Sequence, residues 1–483
     1  MRRALSVLVT ALLLGTVLPT TPASAHWGHR DTRSGGVDAV RTACEGRERI
    51  RVPGADLQRI SPCLPDLTTA GLLKAAPDGV YTSEPDWRGL HAPGTATPTV
   101  SVRGIQVDGY FTDTEVSDTA TVNTLHGWNH DSQFVIRLPE RWNGRLVVAG
   151  APGVRKQYSS DVIISDHVLS QGYAYASVDK GNSGVNFFRD GERPGDAIRE
   201  WHARVTQVAR AAQRVVRQTY GQRPERTYMT GISNGGYLTR WQLENRPGVF
   251  DGGVDWEGTL FERDNNLLDF LPQALRAYPT FRDAPEGPAK EAARQAMYDA
   301  GFEPGSEFLW DLHYNVYWDL TQRIYREELD PTYDGDLEAS ITPTCPLGKT
   351  GCAERDIAYD PSTRTAQLDE ALRGITLTGK IKRPMLSLHG DLDTLLPIDL
   401  HGDRYRDLVE ERHRDPLHRY YVVEGGQHVD SFYALFPDRI RPILPCYRDA
   451  FDALVAWVER GVEPPASGPV QRASGDVVNT CDL

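Results

Sequence analysis

Arg226-Thr-Tyr-Met-Thr-Gly231-Ile-Ser233-Asn-Gly235-Gly-Tyr-Leu-Thr-Arg-Trp-Gln-Leu-Glu244 is the stretch on which the reading of this chain turns. Its first five residues alternate and are rich in β-formers, as a buried strand would be, and residues 236–244 follow a helical pattern. Between them Gly231-Ile-Ser233-Asn-Gly235 fits G-x-S-x-G, a sharp strand-to-helix turn that exposes the serine hydroxyl. Glycines two residues before and two after such a serine relieve crowding where the chain passes close to its neighbours. An ordinary Gly-Ser loop is the alternative, and the residues further along weigh against it.

A serine hydroxyl is a weak nucleophile near neutral pH and needs a base that a third group orients. Arg383-Pro-Met-Leu-Ser-Leu-His389 reads as a buried strand, and Gly390-Asp-Leu-Asp393 follows at its carboxyl end, where a loop residue faces the site. Asp393 is the expected acid, with Asp391 its competitor and otherwise a turn or cap residue. Arg419-Tyr-Tyr-Val-Val-Glu424 is the next apolar strand, and Gly425-Gly-Gln-His428 the loop after it. His428 is the expected base, 35 residues beyond Asp393, room for one helix and one strand. The order serine, acid, histidine is that of α/β-hydrolases. The expected architecture is therefore an α/β-hydrolase fold, a mostly parallel, doubly wound sheet. Acyl transfer also needs donors for the developing oxyanion. The backbone N–H of Asn234 is one; the other is sought after the strand Arg145-Leu-Val-Val-Ala-Gly150, where Ala151 is the first candidate and Gly153 the second, since Pro152 has no N–H.

Further strands are expected at 100–107, 132–138, 173–178 and 250–255. A helix is expected over 201–220, with Val205, Val208, Ala212, Val215 and Val216 on one face and Gly221 as its stop. Tyr447, Phe451, Leu454, Val455 and Val458 predict the last helix, closed by Gly461. About 120 residues, 261–380, separate the strand before residue 260 from the one bearing Asp393, far more than a simple connection needs. They predict a large, mainly helical lid. Within it Trp310, Tyr314, Tyr317 and Trp318 are candidate substrate contacts; the alternative is that these rings form the lid's own core. Asp330, Asp334, Asp336 and Glu338 form an acidic cluster that does not match a calcium-loop spacing and reads as a solvated turn. No metal and no cofactor is expected.

Met1-Arg-Arg, an apolar run from Ala4 to Leu18 and Ala23-Ser-Ala25 read as a signal peptide over 1–25, with general secretion preferred to the twin-arginine route. The remaining segments are an N-terminal extended region at 26–98, core at 99–260, lid at 261–380, core at 381–461 and a tail at 462–483 that is either structural or disordered. With 40% hydrophobic and 25% charged residues the chain is ordinary globular material. Its net charge of −13, without a Lys/Arg-rich block, argues against nucleic acid, and the absence of a second long apolar run argues against a membrane partner. The expected localisation is secreted, extracellular. Six cysteines in an exported chain suggest three disulfides. Of the possible pairings, proximity favours Cys44 with Cys63, Cys345 with Cys352 and Cys446 with Cys481.

Gly172-Tyr-Ala-Tyr-Ala-Ser-Val-Asp-Lys-Gly-Asn-Ser-Gly184, Trp142-Asn-Gly-Arg-Leu-Val-Val148 and the Ser233-Asn-Gly-Gly236 elbow resemble secreted esterases of the tannase/feruloyl esterase type and the related 3-hydroxybutyrate oligomer hydrolases. The similarity runs over about 130–260 and 380–430. It implies an α/β-hydrolase with a large lid, hydrolysis of carboxylic esters, and Ser233, Asp393 and His428 as the triad. Tannase-type enzymes carry a disulfide between cysteines directly before the nucleophile and directly after the histidine; here Ile232 and Val429 hold those positions. That departure speaks against aromatic-ester specificity, and the Ser233-Asn-Gly-Gly236 elbow leans toward the oligomer hydrolases, whose substrates are short soluble polyesters. Two other readings are weighed: a secreted serine peptidase, for which Glu257 would have to anchor a substrate amine, and a non-catalytic binding protein on a hydrolase scaffold.

Overall fold

Strand propensity along the chain is realised in one mixed sheet of ten strands, which the computed structural model describes over residues 42–113, 123–333, 358–472 and 475–483. The strands are β1 (Ala55–Ile60), β2 (Gly104–Phe111), β3 (Gln133–Pro139), β4 (Arg145–Gly150), β5 (Ala174–Val178), β6 (Arg226–Ile232), β7 (Gly252–Trp256), β8 (Met385–Gly390), β9 (His418–Val423) and β10 (Gly468–Val470). Their spatial order is β1-β2-β3-β5-β4-β6-β7-β8-β9-β10. The first three pairings, β1 with β2, β2 with β3 and β3 with β5, are antiparallel, and every pairing from β5 through β4 to β10 is parallel. β5, β7 and β8 are buried at every residue, as strands covered on both faces must be. The helices Asp196–Tyr220 and Asn234–Asn245 pack on β4, β5, β6 and β7, and the helix Leu444–Arg460 packs on β7 and β8. The sheet is thus wound on both faces, as the α/β-hydrolase expectation requires.

Both terminal regions add a strand to the sheet. The segment 42–98 is more than an extended strap. It adds β1 to the sheet edge, forms the short helices Thr69–Lys74 and Glu84–Trp87, and is joined by the disulfide Cys44–Cys63. The strand expected at 100–107 starts only at Gly104, because Val102 is already engaged by this region: its N–H donates to Asp66 and its carbonyl accepts from Leu67. At the other end, the tail is structural, adding β10 beside β9 and tied by Cys446–Cys481.

Between β7 and β8 the described residues are largely helical: Leu267–Asp283, Pro288–Asp299, Glu307–His313, a π-helical turn Tyr314–Trp318, Asp319–Leu329 and Thr365–Leu372. Asn266 opens the first of these, its side chain accepting from the N–H of Leu268. Asp330 is buried and paired with the Arg364 guanidinium (2.6 Å), not a member of a solvated turn. Asp334, Asp336, Glu338, Cys345, Cys352 and the segment 1–25 lie outside the described residues. Among the described residues no helix is long and apolar enough to cross a membrane.

Candidate active site

Ser233 stands at the junction of β6 and the helix Asn234–Asn245 with φ 61° and ψ −121°, a backbone that side chains rarely adopt. The turn exists because its glycines leave room. A Cβ on Gly235 would lie 2.3 Å from the carbonyl oxygen of Gly150 on β4, and one on Gly231 would meet the backbone of Gly235 at 2.6 Å. The Ser233 N–H donates to the Trp256 carbonyl (2.9 Å), which ties the elbow to β7.

Loops from two further strand ends converge on this hydroxyl. His428, after β9, has Nε2 3.0 Å from Ser233 Oγ and Nδ1 2.8 Å from Asp393 Oδ2, after β8. Asp393 Oδ1 accepts the N–H groups of Leu395 and Leu396, both at 2.8 Å, which fixes the carboxylate in place. Burial acts to raise the Asp393 carboxyl, but His428, its hydrogen bond, His389 and the Leu396 N–H together hold it below the ordinary aspartate range. Asp391 turns away from the histidine and accepts the N–H of Gly425 (2.7 Å), closing the turn that leads to His428. The structure therefore brings Ser233, His428 and Asp393 together in one hydrogen-bonded line.

That line opens into a cavity of about 190 Å³ between the sheet and the lid. Its lining is mainly apolar and includes Leu90, Leu267, Leu320, Ile324, Leu395 and Leu396, with Tyr317, Tyr325 and Arg155. A larger open cleft, about 950 Å³, lies elsewhere beside Arg210, Arg214 and Arg246 and contains none of the residues singled out from sequence. Asn234 and Gly153 border the smaller cavity; Ala151, the first choice for the second oxyanion donor, is fully buried and does not. Pro152 and Gly153, the latter at φ 47°, both meet the cavity. The Asn234 side chain joins three parts of the site, donating to the Gly153 carbonyl (3.1 Å) and to Tyr325 (2.5 Å) and accepting from Thr259 (3.1 Å).

Of the four aromatic lid candidates only Tyr317 lines the cavity. Trp310 is fully buried against Phe281, Phe302 and Tyr298, Tyr314 packs on Tyr278, and Trp318 donates its indole N–H to the Thr394 carbonyl (2.7 Å). The π-helical turn Tyr314–Trp318 is the reason. Residues 310, 314, 317 and 318 would share one face of a regular α-helix, and the wider turn rotates that face partway along. The residues missed, Leu320, Thr321, Ile324 and Tyr325, continue from Tyr317 at three- and four-residue spacing, a stripe that the sequence contained.

Glu257 is not an anchor facing a substrate. Its carboxyl is completely buried, accepts from the Gly390 N–H (3.2 Å) and the Trp256 indole (3.1 Å), and lies 4.0 Å from His428 Nδ1. The peptidase reading loses its one candidate for binding an amine. Desolvation, with the Asp393 and Asp430 charges adding to it, pushes the Glu257 carboxyl well above the ordinary glutamate range.

Comparison with known proteins gives two family matches and a shared fold. Residues 118–255 match the model of the tannase and feruloyl esterase family, and residues 347–477 match that of the 3HB-oligomer hydrolases. No curated protein matched. Among solved structures, an esterase from Aspergillus oryzae superposes with a TM-score of 0.52 at 14% identity, over 87% of this chain and 90% of that one. Feruloyl esterase B from Aspergillus oryzae does so with a TM-score of 0.51 at 14% identity, over 87% and 91%. At that identity the structures speak for the shared fold. Ile232 and Val429, which replace the cysteine pair of tannase-type enzymes, both border the cavity. The chain is a carboxylic ester hydrolase on an α/β-hydrolase fold, similar to the tannase and feruloyl esterase family over residues that end in β7 and to the 3HB-oligomer hydrolases over residues that span the acid and histidine loops.

Proposed function

We propose that this protein hydrolyses short carboxylic esters through an acyl-enzyme on Ser233. The observation that carries the reading is the unbroken Ser233–His428–Asp393 hydrogen-bond line at the base of an apolar cavity. Ser233 Oγ attacks the ester carbonyl while His428 Nε2 takes its proton. Asp393 keeps the Nδ1–H pointed at itself and stabilises the imidazolium. The Asn234 N–H and an N–H of the Ala151–Gly153 loop receive the oxyanion. Collapse breaks the ester C–O bond, the leaving alcohol takes the proton from His428, and a water activated by the same imidazole releases the acid.

Ile232 and Val429 favour aliphatic oligomers such as those of 3-hydroxybutyrate over aromatic esters. Arg155 supports this choice. It brings a guanidinium to a mainly apolar lining, its Nη1 donating to the carbonyls of Asp86 and Arg88, which suits a substrate that ends in a free carboxylate. The disulfides Cys44–Cys63 and Cys446–Cys481 suit an oxidising compartment, and export is part of the proposal.

The test is fluorophosphonate labelling of the wild type and Ser233→Ala beside turnover of nitrophenyl butyrate, followed by hydroxybutyrate trimers as free acid and as methyl ester. Labelling and turnover should both vanish in the variant, and the free acid should be the better trimer. Persistent labelling of Ser233→Ala would refute the site; an unlabelled wild type would instead favour the binding-protein reading.

A further inference from the structure

We infer that Glu257 is a second acid on His428, a positioning residue that takes over the orientation of the imidazole when Asp393 cannot hold it. The inference rests on the triad proposed above. β7 and β8 are neighbours in the sheet, and each ends in a carboxyl directed at the same ring nitrogen: Asp393 Oδ2 lies 2.8 Å from His428 Nδ1, and Glu257 Oε2 lies 4.0 Å from it. The backbone secures Glu257 there. Its N–H continues the β7–β8 ladder to the Leu388 carbonyl (2.8 Å), and its φ of 48° is strained for a residue with a side chain. Among the described residues no lysine or arginine forms an ion pair with it, and the His428 imidazole lies 4.0 Å away.

The groups facing Glu257 make the arrangement a competition. Asp393 comes from the loop after β8, with His389 of β8 3.6 Å from it, His428 and Asp430 come from the loop after β9, and on β7 itself Asp255 is occupied by Arg240 (2.6 Å). Two buried carboxyls this close to each other do not both ionise. Asp393, which accepts two backbone N–H groups as well as His428, keeps the charge, and Glu257 keeps the proton. Removing the Asp393 charge removes the repulsion, so Glu257 can lose its proton and accept the Nδ1–H.

The experiment is kcat/KM against pH for wild type, Asp393→Asn, Glu257→Gln and the double variant, on nitrophenyl butyrate. Replacing a triad aspartate by asparagine costs about 10⁴-fold where nothing substitutes for it. Here Asp393→Asn should lose only about 10²-fold, and the double variant should fall by about 10⁴-fold. The acid limb of the Asp393→Asn profile should also move to higher pH, because Glu257 must now deprotonate first; this readout needs no change at Glu257 and so survives misfolding of its variants. Equal activity of Asp393→Asn and the double variant, or an acid limb that does not move, overturns the inference. Failure of the triad itself is read separately, from labelling that persists in Ser233→Ala.

Discussion

The elbow after β6 and the π-helical turn Tyr314–Trp318 border the same cavity, yet they place their side chains by different means. At the elbow the backbone does the work. Gly231, Gly235 and Gly150 pack so closely that only glycine is accommodated, and Ser233 is held by its neighbours along the chain and by β7. In the lid the backbone leaves the choice open, and packing decides which ring faces the cavity. Tyr317 remains half-buried at the wall, while Trp318, one residue on, is driven into the interior and donates to Thr394 next to the triad acid. A catalytic position can be written in a local motif, whereas a specificity wall depends on what is folded against it.

This contrast breaks first at the elbow. Gly235→Ala would set a methyl 2.3 Å from the Gly150 carbonyl, so the turn must open and carry Ser233 away from His428. A displacement of that kind should lower kcat/KM by more than about 100-fold. Full activity with an unchanged melting curve would show that the elbow tolerates what its geometry forbids.

The lid offers a paired test of smaller effect. Trp318→Ala removes a fully buried ring and its hydrogen bond to Thr394, and should destabilise by about 3–5 kcal/mol in denaturant titration. Tyr317→Ala should leave stability nearly unchanged and raise KM several-fold, the signature of lost substrate contact. If the two variants behave alike, the distinction between lid core and cavity wall is wrong.

The smallest effect concerns how the N-terminal region steadies the loop bearing Gly153. Asp86 accepts the N–H groups of Lys156 and Tyr158, both at 2.7 Å, and burial pushes its carboxyl up to about 6. A carboxyl raised in the folded state favours folding fully below its unfolded value near 3.8, and that contribution is lost as pH rises through about 6. Relative to wild type, Asp86→Asn should therefore gain melting temperature between pH 4 and pH 6.5. A gap that stays constant over this range would mean that Asp86 is not the titrating group.

Much of the core was readable because strands and elbow are local. β4 falls on the six residues expected, and β6, β8 and β9 lie within two residues of their predicted ends. Ser233, Asp393 and His428 were legible as residue types at strand ends, and the sheet then sets them within hydrogen-bonding distance. Glu257 was visible as a charge after β7, but its burial beneath His428 was not, because nothing local distinguishes a surface carboxyl from one enclosed by two other loops. Arg155 was missed for the same reason, whereas Tyr325 lies on the stripe that continues from Tyr317 and was open to a reading by helical spacing.

By itself the sequence determined the strand periodicity, the glycine-bounded turn at Ser233 and the chain order of serine, acid and histidine, all properties carried by residues close together along the chain. Only the tertiary structure decided which of Ala151 and Gly153 meets the cavity, which lid aromatics become wall and which become core, and that two carboxyls compete for one imidazole. Those outcomes depend on burial and on distances between segments far apart in sequence, where packing and desolvation act and residue spacing carries no information.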